Sequence, residues 1–166
     1  TDAQLKVLEK NMNQEKTIEY GVARSSNKNK GMPTAIKFCQ QNNLTFEFLE
    51  EQKFEDFIEN LSRVKNLVFF PQWFESYNRL SIEAKILGCK LITNGLLGAA
   101  SEPYFKQNGA ELLATIKQNN ATIFARWEKM IETHTATHIA PLSIPKISII
   151  VSLYKGEKFI KGFLED

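Results

Sequence analysis

The run Leu67-Val68-Phe69-Phe70 is apolar at every position, so a strand built from it is apolar on both faces. Such a strand is stable only when both faces are covered, which points to a parallel sheet flanked by helices. The rest of the chain fits that frame. Thr17 to Ala23 reads as a strand and Arg24 to Gly31 as a polar loop. Pro33 suits the first turn of a helix carrying Ala35, Ile36, Phe38 and Cys39, which stops at Gln41-Asn42-Asn43. Leu44 to Leu49 is a second strand. Phe54, Phe57, Ile58 and Leu61 then recur at i, i+3, i+4 and i+7, as on the core face of a helix.

After the apolar strand come a helix ending at Gly88, a short strand Lys90 to Thr93 and a loop from Asn94 to Glu102. Two helical stretches follow, Gly109 to Gln118 and Thr122 to Thr133. Alternation of this kind predicts an α/β fold: a Rossmann-like open, mostly parallel sheet with helices on both faces.

Residues 1–16 are polar, with Leu5 and Leu8 as their few apolar positions, and are expected to form a connecting helix rather than core. Residues 17–134 form the expected domain, and 135–145, with two prolines and little charge, a linker. Within 146–166 the run Ile147 to Tyr154 strongly favours β-structure and precedes the start of an amphipathic helix. One strand and one helix make no core, so they either dock on the preceding sheet or open a further domain. The start at Thr1 and the stop in a helical pattern suggest a piece of a longer protein.

Some function classes are disfavoured. Across 166 residues the net charge is +2, and the lysines are scattered among glutamates rather than striped, so nucleic acid is not an expected partner. The sequence shows no apolar run long enough to span a bilayer. Cys39 and Cys89 each lie in an apolar-patterned segment without metal-like spacing and read as buried free thiols. His134 and His138 are four apart but lack acidic or cysteinyl companions, so no metal site is expected.

The candidate chemistry centres on Glu75 and Glu83. On a helical wheel Glu83 falls inside the apolar arc of Leu80, Ala84, Ile86 and Leu87, where a carboxylate is costly unless something pairs with it. In open α/β sheets ligands bind beyond the carboxyl ends of the strands. The loop after the first strand brings Arg24, Lys28 and Lys30 to that edge, the loop after the third brings Glu75, and the loop after the fourth brings Gly95, Gly98, Ser101 and Glu102. Ser76 and Asn78 suit an N-cap. Trp73 either walls the site or packs as core. Cations at helix N-termini suit a diphosphate, and carboxylates suit sugar hydroxyls.

Those residues carry a resemblance. Arg24, then Lys30-Gly31, then Glu75 to Glu83-Ala84, then Gly88 to Asn94 make about 17–130 similar to the C-terminal, donor-binding half of a GT-B-fold glycosyltransferase of the retaining family 4. The resemblance implies hexosyl transfer from a UDP- or GDP-linked sugar. Arg24 and Lys30 would hold the diphosphate, Glu75 the donor sugar and Glu83 the ribose. Ser76, Tyr77, Asn78, Arg79 and Gly98 would complete the donor site. The family has Gly where this chain has Ser76 and Asn78. No Asp-x-Asp occurs, and no metal or other cofactor is implied.

Pro145 to Ile160 is similar to the opening strand and helix of a family 2, GT-A-type glycosyltransferase. Together the two imply a tandem enzyme of bacterial surface polysaccharide synthesis. It would be cytoplasmic, at the inner face of the membrane, taking a glycan or lipid-linked acceptor through an N-terminal half not in this chain. The alternatives are half of a GT-B-like sugar-nucleotide epimerase, and a non-catalytic nucleotide-binding scaffold.

Overall fold

A computed structural model describes residues 2–50 and 52–138. The chain divides into two compact units, Thr1–Ala125 and Arg126–Asp166. The elements, in order, are α1 (Asp2–Asn11), β1 (Ile18–Ala23), α2 (Met32–Gln41), β2 (Glu47–Leu49), α3 (Phe54–Ser62), β3 (Val64–Phe69), α4 (Arg79–Ile86), β4 (Lys90–Thr93) and α5 (Gly109–His138). Three short 3-10 turns, Lys28–Lys30, Gly98–Ser101 and Pro103–Lys106, lie in the loops.

The four strands pair in the order β2-β1-β3-β4, all parallel, with Val22 opposite Phe48, Tyr20 opposite Asn66 and Val68 opposite Ile92. The chain steps from β1 outward to β2 and then crosses back to the other side of β1. The strand order therefore reverses between β1 and β3, which opens a crevice at their carboxyl ends. Adjacent residues of β3 feed separate buried clusters, as successive strand side chains must. Val68 joins Val22, Ala35 and Cys39 under α2. Leu67 joins Leu49, Ile58, Leu61, Ile82, Ile86, Leu87 and Leu112 in the larger cluster. The expected doubly covered, parallel α/β sheet is present.

Several boundaries differ from expectation. β3 starts at Val64, three residues before the apolar run, because the buried Asn66 amide donates to the Glu19 carbonyl at 2.8 Å and so tolerates a central strand. β2 covers Glu47–Leu49 alone; the Leu44 N–H donates to the Cys39 carbonyl at 2.9 Å, closing α2 instead of joining the sheet. The two expected helical stretches after Gly109 are one helix, since Asn119 and Asn120 weaken but do not break it and neither Gly nor Pro intervenes. That helix runs to His138, four residues into the expected linker. The segment resembling a second transferase lies outside the described residues.

α1 is part of the core rather than a connector: Leu5 and Leu8 are buried in the larger cluster, and Lys117 of α5 pairs with Glu9 at 2.9 Å. Both cysteines are buried and unpaired. No helix among the described residues is long and apolar enough to cross a membrane.

Lys16, just before β1, places its ammonium between two helix ends. It donates to the Ser62 carbonyl at the end of α3 and to the Leu87 carbonyl past α4, both at 2.7 Å, and lies 3.7 Å from Cys89 Sγ. The last carbonyls of a helix lack internal partners and carry partial negative charge, so a cation there satisfies and stabilises both ends. Lys16→Met removes two charge-assisted bonds and should lower the unfolding free energy by about 2–3 kcal/mol. Chemical denaturation checks this; a loss within about 0.5 kcal/mol, as at an ordinary surface site, would refute it.

Candidate functional site

Backbone hydrogen bonds stitch the loops at the carboxyl edge together. The Gln72 N–H donates to the Asn29 carbonyl at 2.9 Å, joining the loops after β3 and β1. The Asn94 amide donates to the Pro71 carbonyl at 2.9 Å, and the Glu75 N–H to the Leu96 carbonyl at 2.9 Å, joining the loops after β3 and β4. Gly98 completes the last junction: its N–H donates to the Glu75 carbonyl at 2.7 Å. A Cβ on Gly98 would lie 2.7 Å from the Ser76 carbonyl oxygen, so only glycine fits the close approach. Gly98 thus holds the Glu75 loop from behind and is not part of the cavity wall.

The cavity, about 410 Å³, opens where the strand order reverses. Ala23, Arg24 and Ser25 line it from the end of β1 and Phe69 from the end of β3. Lys30, Glu75, Tyr77, Asn78, Arg79, Leu80, Glu83 and Phe57 complete the wall. Seven of the nine residues singled out from the sequence, Arg24, Lys30, Glu75, Tyr77, Asn78, Arg79 and Glu83, meet in this wall, while Ser76 is exposed and, like Gly98, off it.

Each charged group is held by a partner. Lys30 Nζ lies 2.7 Å from Glu75 Oε1, and the Asn78 amide approaches the other Glu75 oxygen at 3.4 Å. Asn78 is also the N-cap of α4, its side-chain oxygen accepting from the Ser81 N–H at 2.9 Å. Glu83 is 6% exposed and pairs with Arg79 Nε at 2.8 Å, one turn earlier on α4. Arg79 reaches over the Phe54 ring at 5.4 Å. Arg24 Nε pairs with Glu50 at 2.7 Å and its guanidinium stacks on Phe48 at 4.1 Å.

Lys30 owes its position to the next residue. Gly31 has φ 72°, in the left-handed region, and forms the junction between the 3-10 turn and α2. A Cβ there would collide with the Phe70 carbonyl. The Lys-Gly pair is therefore a geometric unit. The glycine lets the β1 loop close against the end of β3, and the lysine then faces Glu75.

Burial pushes the Glu83 carboxyl up to about 7, against the downward pull of Arg79. The Tyr77 phenol is raised by burial, then by Tyr104 and Glu83, with Arg79 opposing. A buried carboxyl raised in this way in a cavity wall singles the cavity out as the candidate site, because packing alone would select an apolar residue at this position.

Two aromatic expectations need correction. Trp73 is 70% exposed and absent from the cavity wall, so it neither packs as core nor lines the site; it stands beside the likewise exposed Phe74 on the loop after β3. Phe57 is half-buried and lines the cavity rather than serving the core alone. Its position in the first turns of α3 holds the signal for this, since helices following strands begin at the carboxyl edge. Glu50, just past β2, is the charged neighbour of the site that the sequence patterns do not single out. Among the described residues no group of three or more His, Cys, Asp or Glu is placed to hold a metal ion. The side chains of His134 and His138 lie outside the described residues.

Comparison with family models, with curated proteins and with solved structures returned no significant match.

Two outcomes follow from this geometry. Glu83 is held above its ordinary value of 4.5, so folding favours its neutral form and stability falls as pH rises from about 4.5 to about 7. The difference in unfolding free energy between wild type and Glu83→Gln should shift towards the variant by about 3 kcal/mol across that window. Parallel profiles from denaturation at pH 4 and pH 8 would refute it. Gly31→Ala should lose at least about 2 kcal/mol in the same assay, from left-handed strain and the clash with Phe70.

Proposed function

We propose that the cavity binds a nucleoside-diphosphate sugar, as the donor half of a GT-B-type retaining glycosyltransferase. The observation that carries this reading is the convergence of Arg24, Lys30, Glu75 and Glu83 on one cavity at the strand-order reversal. Two cations from the β1 loop suit a diphosphate, and two carboxylates from the β3 loop and α4 suit the hydroxyls of the sugars on either side of it. Tandem use in bacterial surface polysaccharide synthesis rests on the sequence resemblance.

In this mechanism the chemical demand is for stabilising the departing diphosphate, which fixed positive charge meets without reorganisation at the moment of reaction. Lys30 neutralises the charge that develops on the diphosphate as the donor's sugar–phosphate bond breaks and the sugar passes to the acceptor hydroxyl. Its bond to Glu75 fixes the ammonium against the carboxylate that accepts from the donor sugar. Glu83, buried beside Arg79, hydrogen-bonds the ribose hydroxyls, accepting where it is ionised and donating where it is protonated. Phe57, Leu80 and Phe69 supply the apolar part of the wall beside these contacts.

The test is ligand-induced stabilisation of this chain by UDP, GDP, ADP and CMP and by UDP- and GDP-sugars. A ligand at 100 times its dissociation constant should stabilise the fold by about 2.7 kcal/mol. Lys30→Ala should weaken the best nucleoside diphosphate by about tenfold, through loss of a charge-assisted contact. No shift with any of these compounds at millimolar concentration would sink the proposal.

A further inference from the structure

The cavity meets its expected anion with no spare charge. Of the three cations in its wall, Lys30 is paired with Glu75 and Arg79 with Glu83, both carboxylates of the wall itself. Arg24 differs. Its partner, Glu50, is not part of the wall and stands half exposed one residue past β2. Arg24 Nε lies within 2.8 Å of both Glu50 oxygens, and its guanidinium plane rests on Phe48 at 4.1 Å. The backbone fixes this arrangement too, since the Arg24 N–H donates to the Leu49 carbonyl at 2.8 Å. Arg24 is thus drawn to the β2 side of the crevice by an internal carboxylate.

A guanidinium binds carboxylate and phosphate with the same donors, so the two compete for it. We propose that Glu50 is an internal competitor for Arg24, occupying the guanidinium until a diphosphate displaces it. This rests on the nucleotide reading above and adds a specific residue to it: Glu50 sets how tightly the cavity holds an anion. Both partners of the pair are about half exposed, so solvent screens their attraction and an incoming phosphate can exchange with it. Lys30 cannot be released in the same way, because Glu75 is itself needed at the sugar.

The experiment is calorimetric titration of UDP, GDP and inorganic pyrophosphate into wild type, E50Q, R24Q and the double variant. Glu50 is an exposed loop residue, and the glutamine preserves its shape, so E50Q folds as wild type does. E50Q should bind the preferred diphosphate about two- to fivefold more tightly, the range expected for removing one exposed ion pair. In the R24Q background the same change should do nothing. Weaker binding by E50Q would overturn the proposal, showing that Glu50 orients Arg24 for the ligand. Equal tightening with and without Arg24 would also overturn it, as a general effect of removing negative charge. Failure of wild type and E50Q alike to bind any of the three probes would remove the nucleotide reading, and the competitor role with it.

Discussion

One ammonium group closes two helices at once. α3 and α4 each deliver the chain to a strand, and each ends in carbonyls that need a partner. Lys16 satisfies both ends from a position before the first strand. The junctions between helix and sheet on one side of the molecule therefore depend on a residue far from them in sequence. β3 and β4 emerge from these junctions in register, and the carboxyl ends of the strands then fall where the loops can meet.

At the carboxyl edge the backbone, more than the side chains, does the aligning. Asn29 to Gln72, Pro71 to Asn94, and Glu75 to Leu96 and Gly98 form a chain of contacts across three loops. Gly31 and Gly98 stand where neighbouring carbonyls leave no room for a Cβ. Glu75 is held on both its backbone groups before its carboxylate meets Lys30. In a wall built this way the backbone sets where Glu75, and with it Lys30, stands.

The alternation of apolar periodicities is enough to place the sheet, because a strand like Leu67 to Phe70 admits few surroundings. The site is legible for a related reason: Glu83 interrupts an apolar arc, and such an interruption needs a cause. What escapes is whatever depends on partners distant in sequence. Asn66 looks like a strand breaker until the Glu19 carbonyl is seen beside it. Lys16 looks like surface, and α1 like a connector, because Leu5 and Leu8 are few and their cover comes from later elements. Glu50 escapes because no pattern distinguishes it from other exposed glutamates. Trp73 shows the reverse failure, since a large ring after a buried strand suggests core and is exposed instead.

The pairing of each wall cation with a carboxylate at 2.7–2.8 Å has a kinetic meaning. Opposite charges that close together largely cancel at a distance, so these three pairs add little long-range pull on an anion. Encounter is then left to diffusion. For an anion of the kind proposed, discrimination would then fall to how long it stays once Arg24 has exchanged Glu50 for it, a selection by dwell time rather than by capture.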